Sequence, residues 1–316
     1  MKLKRIIPDL INDAKTNNWT HVFFVNNPVT SIISRLVIEK YQINKSEIKI
    51  ISIRNTDTSI VDFSVYNLKR GNYDRYFEKI LWDSPSGRKI LKEIRGNKFI
   101  IYASWAYREV NKVIRSNNCM GHIYIEEGQH SYMNIKPYNP NEVSLYDKIK
   151  INWTNRFSEE DEIGYYFRED AHAFIGINES VFPKVNSNKK FILDNLNDLK
   201  QFYSPKLLGV KKIGLTCAMR RLKNDQWIMM LKKLINEMPD GGVIKPHPSF
   251  LSSSKIKNQF KSLFETIADP KIKLCPNNVI LELEMLYDKK TLIGSQTSLS
   301  RYSDLLGSTF INLKLY

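Results

Sequence analysis

The chain has 316 residues, 42% of them hydrophobic and 11% aromatic, which suffices for the cores of two domains of ordinary size. Its formal charge of +15 favours polyanionic partners: nucleic acid, an anionic membrane surface, or phosphorylated and carboxylated substrates. The three cysteines are far apart and no apolar run approaches about 18 residues, which excludes a disulfide framework, a cysteine-based zinc site and a membrane-spanning helix.

The N-terminal sequence MKLKRIIPDLINDAK is basic, but Pro8 and Asp9 interrupt its apolar part. We therefore expect no secretory signal peptide and a cytoplasmic location. Beyond it, short apolar runs alternate with amphipathic stretches, the pattern of βαβ units with a mostly parallel sheet. The first half is predicted to contain strands over 21–25, 48–53, 98–102 and 122–125, and helices over 31–39 and 105–114. We expect 131–183 to be loops and helices, and the polar segment 186–212 to be a linker.

A second alternating series follows this linker. It predicts strands over 212–216, 242–244, 272–274, 291–293 and 310–315, and helices over 225–237, 255–267, 278–287 and 300–306. The helix over 278–287 is expected to be capped by Asn277 or Asn278. The predicted fold class is therefore α/β, with one Rossmann-like domain over 1–190, a second over 191–316, and ligands in a cleft between them.

Three polar motifs follow predicted strands, where ligands bind in open α/β sheets. Glu126 and Glu127 end an apolar strand and precede Gly128, so that either carboxylate is a candidate general base. His247 stands between two prolines at the end of the strand over 242–244, which places an imidazole on a stiff turn. The third motif, GSQTSLS, offers the hydroxyls of Ser295, Thr297 and Ser298, and the amides of the following helix suit an anion.

The three motifs in this order, EEG, KPHP and TS, resemble those of the bacterial sialyltransferases. That resemblance implies a GT-B fold, in which two Rossmann-like domains face a central cleft. It also implies an inverting enzyme that moves sialic acid from CMP-sialic acid to a terminal galactose-like sugar of a bacterial capsule, lipid-linked repeat or lipooligosaccharide. The family often has two serines in its hydroxyl motif, whereas this chain has a threonine and a serine.

The resemblance also implies the roles of individual residues. Glu127 is the general base, with Glu126 as the alternative, and His247 contacts the phosphate of the donor and assists its departure. A glutamate on the helix before the hydroxyl motif binds the ribose, which leaves Glu284, our preference, and Glu282. The remaining predicted donor-binding residues are Thr216, Pro248, Ser295, Thr297 and Ser298, and the predicted acceptor-binding residues are Gly128, Gln129 and His130.

No metal or other cofactor is expected. A CMP donor has a single phosphate, and the chain has neither an Asp-x-Asp triplet nor HExxH, while its histidines lack the spacing of metal ligands. His247, the hydroxyls and the helix amides would stabilise the departing phosphate instead, with Lys245 nearby.

Two other functions fit parts of the sequence. One is a GT-B transferase that uses CMP-Kdo or a diphosphate sugar donor. The other is a nucleic-acid-binding protein, suggested by the charge and by the cations that surround Trp153, namely Lys148, Lys150 and Arg156. Because no nucleic-acid-binding motif accompanies that segment, we interpret it as a solvated surface or one that holds the enzyme peripherally at the inner face of the plasma membrane.

Overall fold

The computed structural model describes residues 7–52, 59–68, 84–142, 163–217, 224–247, 254–267, 269–276 and 278–314; at 59, 163–165, 224 and 255 it describes the backbone alone. The predicted donor residue Pro248, the predicted cap Asn277 and the basic segment around Trp153 lie outside these residues. The chain divides into two compact units, Met1–Leu199 and Lys200–Tyr316.

The first unit contains a seven-stranded sheet in the order β3-β2-β1-β4-β5-β8-β9, and all of its pairings are parallel. Two short strands, β6 and β7, form a separate parallel pair. The strands are β1 (Thr20–Val25), β2 (Ile48–Ser52), β3 (Val65–Asn67), β4 (Phe99–Ala103), β5 (Cys119–Ile125), β6 (Lys136–Tyr138), β7 (Ile163–Arg168), β8 (Ala173–Gly176) and β9 (Lys190–Ile192).

The α-helices in the described part of this unit are α1 (Ile7–Thr16), α2 (Pro28–Lys40), α3 (Pro85–Glu93) and α4 (Arg108–Ile114). All six residues of β1 are buried, as expected for an interior strand of a parallel sheet that is covered on both faces. Asn27 then stops the strand and starts α2: its side chain accepts the amide of Thr30 in a capping box, and Pro28 supplies a helical φ at the first position.

The second unit contains a five-stranded parallel sheet in the order β12-β11-β10-β13-β14. Its strands are β10 (Lys212–Leu215), β11 (Gly242–Lys245), β12 (Ile272–Leu274), β13 (Thr291–Gly294) and β14 (Thr309–Asn312), and its helices are α5 (Asn224–Asn236), α6 (Ser254–Ile267), α7 (Leu281–Tyr287) and α8 (Ser298–Leu305). The aromatic side chains Trp227, Phe260 and Phe264 pack with Ile244 and Ile293 in its core.

In both sheets the strand order reverses next to the first strand. The chain moves from β1 outward to β3 and then returns to β4 on the other side, and it repeats this path from β10 to β12 and back to β13. Such a reversal opens a crevice at the carboxyl ends of the two central strands, where α/β proteins bind their ligands. The α/β class with two Rossmann-like sheets, predicted from the sequence, is confirmed.

Several predicted elements need correction. The segment 131–183, expected to be loops and helices, contains β8, which pairs with β5 inside the first sheet. The expected linker contains β9, which pairs with β8, so the first sheet continues past residue 190 and the chain divides between Leu199 and Lys200. Helix α7 begins at Leu281 rather than at 278, and its N-cap Ile280 makes no side-chain capping bond. No helix of the described residues is long and apolar enough to cross a membrane.

Candidate active-site residues at the strand ends

In the first unit, the residues that follow β1, β4 and β5 are joined by hydrogen bonds at the carboxyl edge of the sheet. The Asn26 amide donates to the Ser104 hydroxyl at 3.0 Å and to the Tyr107 hydroxyl at 2.8 Å. The Asn27 amide donates to the backbone carbonyl of Glu127 at 2.7 Å. The end of β5 is therefore tied to the end of β1, and the EEG motif lies beside the point where the strand order reverses.

Glu126 is completely buried, and both of its carboxylate oxygens accept hydrogen bonds. The Tyr132 hydroxyl donates to one oxygen at 2.6 Å, and the backbone amide of Ile177 donates to the other at 2.9 Å. A Cβ at position 176 would lie 2.8 Å from that second oxygen, so only glycine fits there. Glu126 thus joins β5, the turn after it and the end of β8, and its carboxylate is engaged by the protein.

Glu127 has a different environment. Its backbone amide donates to the Ser131 hydroxyl at 3.0 Å, and its carboxylate oxygen Oε1 lies 2.8 Å from Nδ1 of His130. Gly128, between them, has a φ of 113°, a conformation that residues with a side chain rarely adopt, and a 3₁₀ turn over Gln129–Tyr132 follows it. The turn brings Glu127 and His130 together and leaves Gln129 exposed.

Aromatic rings surround this pair. Trp105, which follows β4, meets the imidazole of His130 edge-on with the ring centroids 4.7 Å apart. Tyr166 of β7 lies 5.3 Å from the same imidazole and 4.7 Å from Trp105. Burial, and then the charge of Glu127, raise the pKa of Tyr166, so its phenol stays neutral beside the carboxylate. Neither ring was among the site residues predicted from the sequence. Trp105 could have been found from its position just after a predicted strand, whereas no sequence pattern singled out Tyr166.

In the second unit, the ends of β10 and β11 are joined through Thr216. The Thr216 amide donates to the carbonyl of Lys245 at 3.2 Å, and its hydroxyl accepts the backbone amide of His247 at 2.8 Å. These bonds fix the turn that carries His247, whose side chain is half-buried. Burial lowers the pKa of His247, so the unliganded protein favours the neutral imidazole at pH 7.

The hydroxyl motif follows β13, the neighbour of β10. Thr297 is the N-cap of α8, and its hydroxyl accepts the amide of Leu299 at 3.2 Å. The Ser295 hydroxyl is 3.5 Å from the carbonyl of Leu313, at the long end of hydrogen-bond distances. Ser298 is the first residue of the helix. Since a threonine hydroxyl that accepts a bond can still donate its own proton, Thr297 keeps a donor for an anion.

The two glutamates of α7 differ as sharply as those of the EEG motif. Glu284 is completely buried and accepts three hydrogen bonds, from the Tyr203 hydroxyl at 2.6 Å and from the amides of Lys206 and Leu207 at 2.8 and 3.0 Å. Glu282 keeps part of its surface exposed. Desolvation raises its pKa, which the positive charge of Lys245 at the end of β11 partly offsets. Of the two candidates for the ribose, Glu284 is the more deeply buried residue.

Among the described residues, no group of three or more His, Cys, Asp or Glu side chains is arranged to hold a metal ion. The structure brings Glu127, Gly128 and His130 together at the carboxyl edge of the first unit's sheet, and Thr216 and His247 together at the carboxyl edge of the second unit's sheet. The carboxylates of Glu126 and Glu284 accept hydrogen bonds from loops of their own unit.

No family model matches the chain, and no curated protein matches its sequence. Solved structures do match. The chain is similar to S. aureus MnaA in its structure with UDP, at a TM-score of 0.54 and 9% identity, over 93% of this chain and 79% of that one. It is also similar to the UDP-GlcNAc 2-epimerase from Neisseria meningitidis bound to UDP-GlcNAc, at a TM-score of 0.50 and 10% identity, over 93% and 82% of the two chains.

These similarities show the fold, which is GT-B with two Rossmann-like domains, as expected from the sequence. At 9–10% identity they show the fold alone, because one fold can have many functions.

Proposed function

We propose that this protein is an inverting glycosyltransferase that moves sialic acid from CMP-sialic acid to a terminal galactose-like sugar of a bacterial surface glycan. The observation that carries the proposal is the position of its motifs. EEG directly follows β5, His247 lies two residues after β11, and GSQTS begins at the last residue of β13, at the edge where GT-B and other α/β proteins bind ligands.

The base of this reaction belongs to Glu127 and its surroundings rather than to Glu126. An acceptor hydroxyl needs a group that is free to receive its proton, whereas both oxygens of Glu126 are engaged by Tyr132 and Ile177. The loop after Gly128, with Gln129 and His130, supplies contacts for the acceptor.

The donor belongs to the second unit. His247, held by Thr216, and the hydroxyls of Ser295, Thr297 and Ser298 would bind the phosphate of CMP, and Glu282, which is less buried than Glu284, would bind the ribose hydroxyls. Since burial lowers the pKa of His247, it first meets the phosphate as a neutral hydrogen-bond donor. The anion then raises the proton affinity of the imidazole.

The chemical step is one displacement. The bond between the anomeric carbon and the phosphate oxygen breaks and its electron pair leaves with CMP, while the acceptor oxygen bonds to the opposite face of that carbon and loses its proton to the base. The configuration is inverted. Hydrogen bonds to the departing phosphate in a water-poor site typically contribute about 1.5–3 kcal/mol each when one partner is charged.

The second candidate is a GT-B enzyme that takes another nucleotide sugar, such as CMP-Kdo or a UDP sugar. The bound molecules of the similar solved structures, UDP and UDP-GlcNAc, favour testing it. For either donor we place the protein in the cytoplasm, with its formal charge of +15 available to hold it peripherally at an anionic membrane near a lipid-linked or capsular acceptor.

A nucleotide panel tests the proposal. We expect CMP and CMP-sialic acid to raise the melting temperature, because a ligand at 100 times its Kd adds about 2.7 kcal/mol of stability, and UDP and UDP-GlcNAc to leave it unchanged. With CMP-sialic acid and lactose the protein should release CMP. His247→Ala should slow this release by roughly tenfold or more, whereas His172→Ala, its matched control, should not. A shift with UDP alone would favour the second candidate, and no shift with any nucleotide would exclude both.

A further inference from the structure

The part of the Glu127–His130 pair that solvent reaches is the imidazole. The side chain of Glu127 is only 6% exposed, whereas that of His130 is 38% exposed. A substrate hydroxyl that approaches the pair therefore meets His130 first. The base would then be His130, and not the Glu127 carboxylate that contacts it.

The geometry of the pair decides which imidazole nitrogen is available. Nδ1 of His130 lies 2.8 Å from Oε1 of Glu127. An ionised carboxylate only accepts hydrogen bonds, so it stabilises the tautomer in which Nδ1 carries the proton. Nε2 of the neutral ring then has a free electron pair and can accept a proton.

The orientation of the ring is held from three sides. Glu127 contacts Nδ1, the edge of Trp105 packs against one part of the ring, and Tyr166 packs against another. The 3₁₀ turn after Gly128 fixes the backbone of His130 as well. Among the described residues, the titratable groups that face the imidazole are Glu127 and the neutral phenol of Tyr166.

We propose that His130 is the general base of the transfer and that Glu127 is a positioning residue that acts through it. The inference rests on the proposed function. The O–H bond of the acceptor breaks and its proton goes to Nε2 of His130, while the acceptor oxygen bonds to the anomeric carbon and the phosphate leaves with the electron pair of the broken C–O bond. The resulting imidazolium is stabilised by the carboxylate of Glu127 and later releases its proton to water.

An imidazole is better suited to this task near pH 7 than a carboxylate, because its ordinary pKa of about 6.5 lies closer to the working pH than the value of about 4.3 for glutamate. The arrangement in which a carboxylate orients a histidine and stabilises its protonated form is used on several unrelated folds. Here the sequence places both groups on one four-residue turn, E-G-Q-H.

The pH dependence of kcat tests the assignment. His130→Asn keeps an N–H that reaches Oε1 of Glu127 but has no group that takes a proton at neutral pH. We expect kcat to fall by about 100-fold or more, since general bases contribute about 10² to 10⁴, with the KM of the donor changed by less than about threefold. The acid limb of the wild-type profile should be absent from this variant. His172→Asn, at the other edge of the sheet, should keep both kcat and the acid limb.

A second measurement works without turnover. In protein labelled with ¹⁵N-histidine, NMR should show the His130 proton on Nδ1 at pH 8, and Glu127→Leu should move it toward Nε2. Wild-type kcat and an unchanged acid limb in His130→Asn would overturn the proposal, as would a His130 tautomer that does not respond to Glu127→Leu. If the wild-type protein released no CMP, the sialyltransferase function would be overturned, and the general-base role with it. A tautomer shift in Glu127→Leu would then still show that Glu127 orients the imidazole of His130.

Discussion

The two units each contain a pair of glutamates that the sequence cannot tell apart, and in each pair the structure separates them in the same way. Glu126 and Glu284 are completely buried, and each accepts hydrogen bonds on both oxygens from loops of its own unit. Glu127 and Glu282 stand beside them with carboxylates that face other titratable groups, His130 and Lys245. One member of each pair therefore holds loops of its own unit, and the other is the one to which we assign a function in our proposal.

Hydrogen-bond donors explain how a completely buried carboxylate can stabilise a protein. Removing a charge from water is costly, and the protein offsets that cost only when donors surround the anion. Tyr132 and Ile177 do so for Glu126, and Tyr203, Lys206 and Leu207 do so for Glu284. Since donors aimed at a missing anion are left unpaired, changes at these positions should reduce stability. Changes at the neighbouring glutamates should reduce function.

The largest expected effect tests this division in the first unit. Glu127→Gln should lower kcat by roughly 10² to 10⁴, because the amide neither holds the tautomer of His130 nor stabilises its protonated form. Its melting temperature should remain near that of the wild type. Glu126→Gln, one residue away, should behave in the opposite way and destabilise the protein by about 1–3 kcal/mol with a smaller loss of kcat. Steady-state CMP release and thermal melts of both variants make the comparison. Equal losses of kcat at equal stability would contradict it.

Much of the fold could be predicted from the sequence. Strand β1 is a continuous run of buried apolar residues, and Asn27 followed by Pro28 starts α2, so both signals are local. The end of β5 and the turn at Gly128 were predictable for the same reason. By contrast, β8 has only four residues and lies among aromatic and polar side chains, and its place in the sheet comes from pairing with β5.

Which glutamate of each pair is hydrogen-bonded within the fold could not be predicted, because it depends on distant partners. Glu126 is engaged by the amide of Ile177, and Glu284 by a loop that includes Lys206 and Leu207. No local pattern reveals these contacts. On α7, the preference for Glu284 at the ribose stays a prediction, and the sequence showed none of the bonds that Glu284 accepts from Tyr203, Lys206 and Leu207. The contact between Glu127 and His130, three residues apart, was within reach of a turn prediction.

The next largest effect concerns the stability of the second unit. Glu284→Gln leaves an amide N–H facing a backbone N–H or the Tyr203 hydroxyl, so at least one buried donor loses its acceptor. We expect a loss of about 3 kcal/mol in the free energy of unfolding and a melting temperature lower by roughly 10 °C. Thermal and urea melts check this, with Glu282→Gln on the same helix as the matched control. A Glu284→Gln protein as stable as the wild type would show that the loop around Tyr203 does not depend on this carboxylate.

The smallest expected effect is at Glu282. The sign of the change in stability distinguishes the two glutamates of α7. Glu282→Gln should weaken CMP binding by roughly tenfold, which is about 1.4 kcal/mol, as expected for the loss of one charged hydrogen bond to the ribose.

Desolvation raises the pKa of Glu282 in the folded protein, so the folded state holds its proton more tightly than the unfolded state does. Ionisation of this carboxyl group therefore costs the folded state free energy. The stability of the wild type decreases as the pH rises through that raised pKa. Replacing it with glutamine removes this loss, so the variant should melt no lower than the wild type at pH 7, with its relative stability increasing between pH 4.5 and 7. Melts across this range and calorimetric titration with CMP measure the two quantities. A variant that binds CMP normally but unfolds earlier would place Glu282 with Glu284 among the residues that hold the unit together.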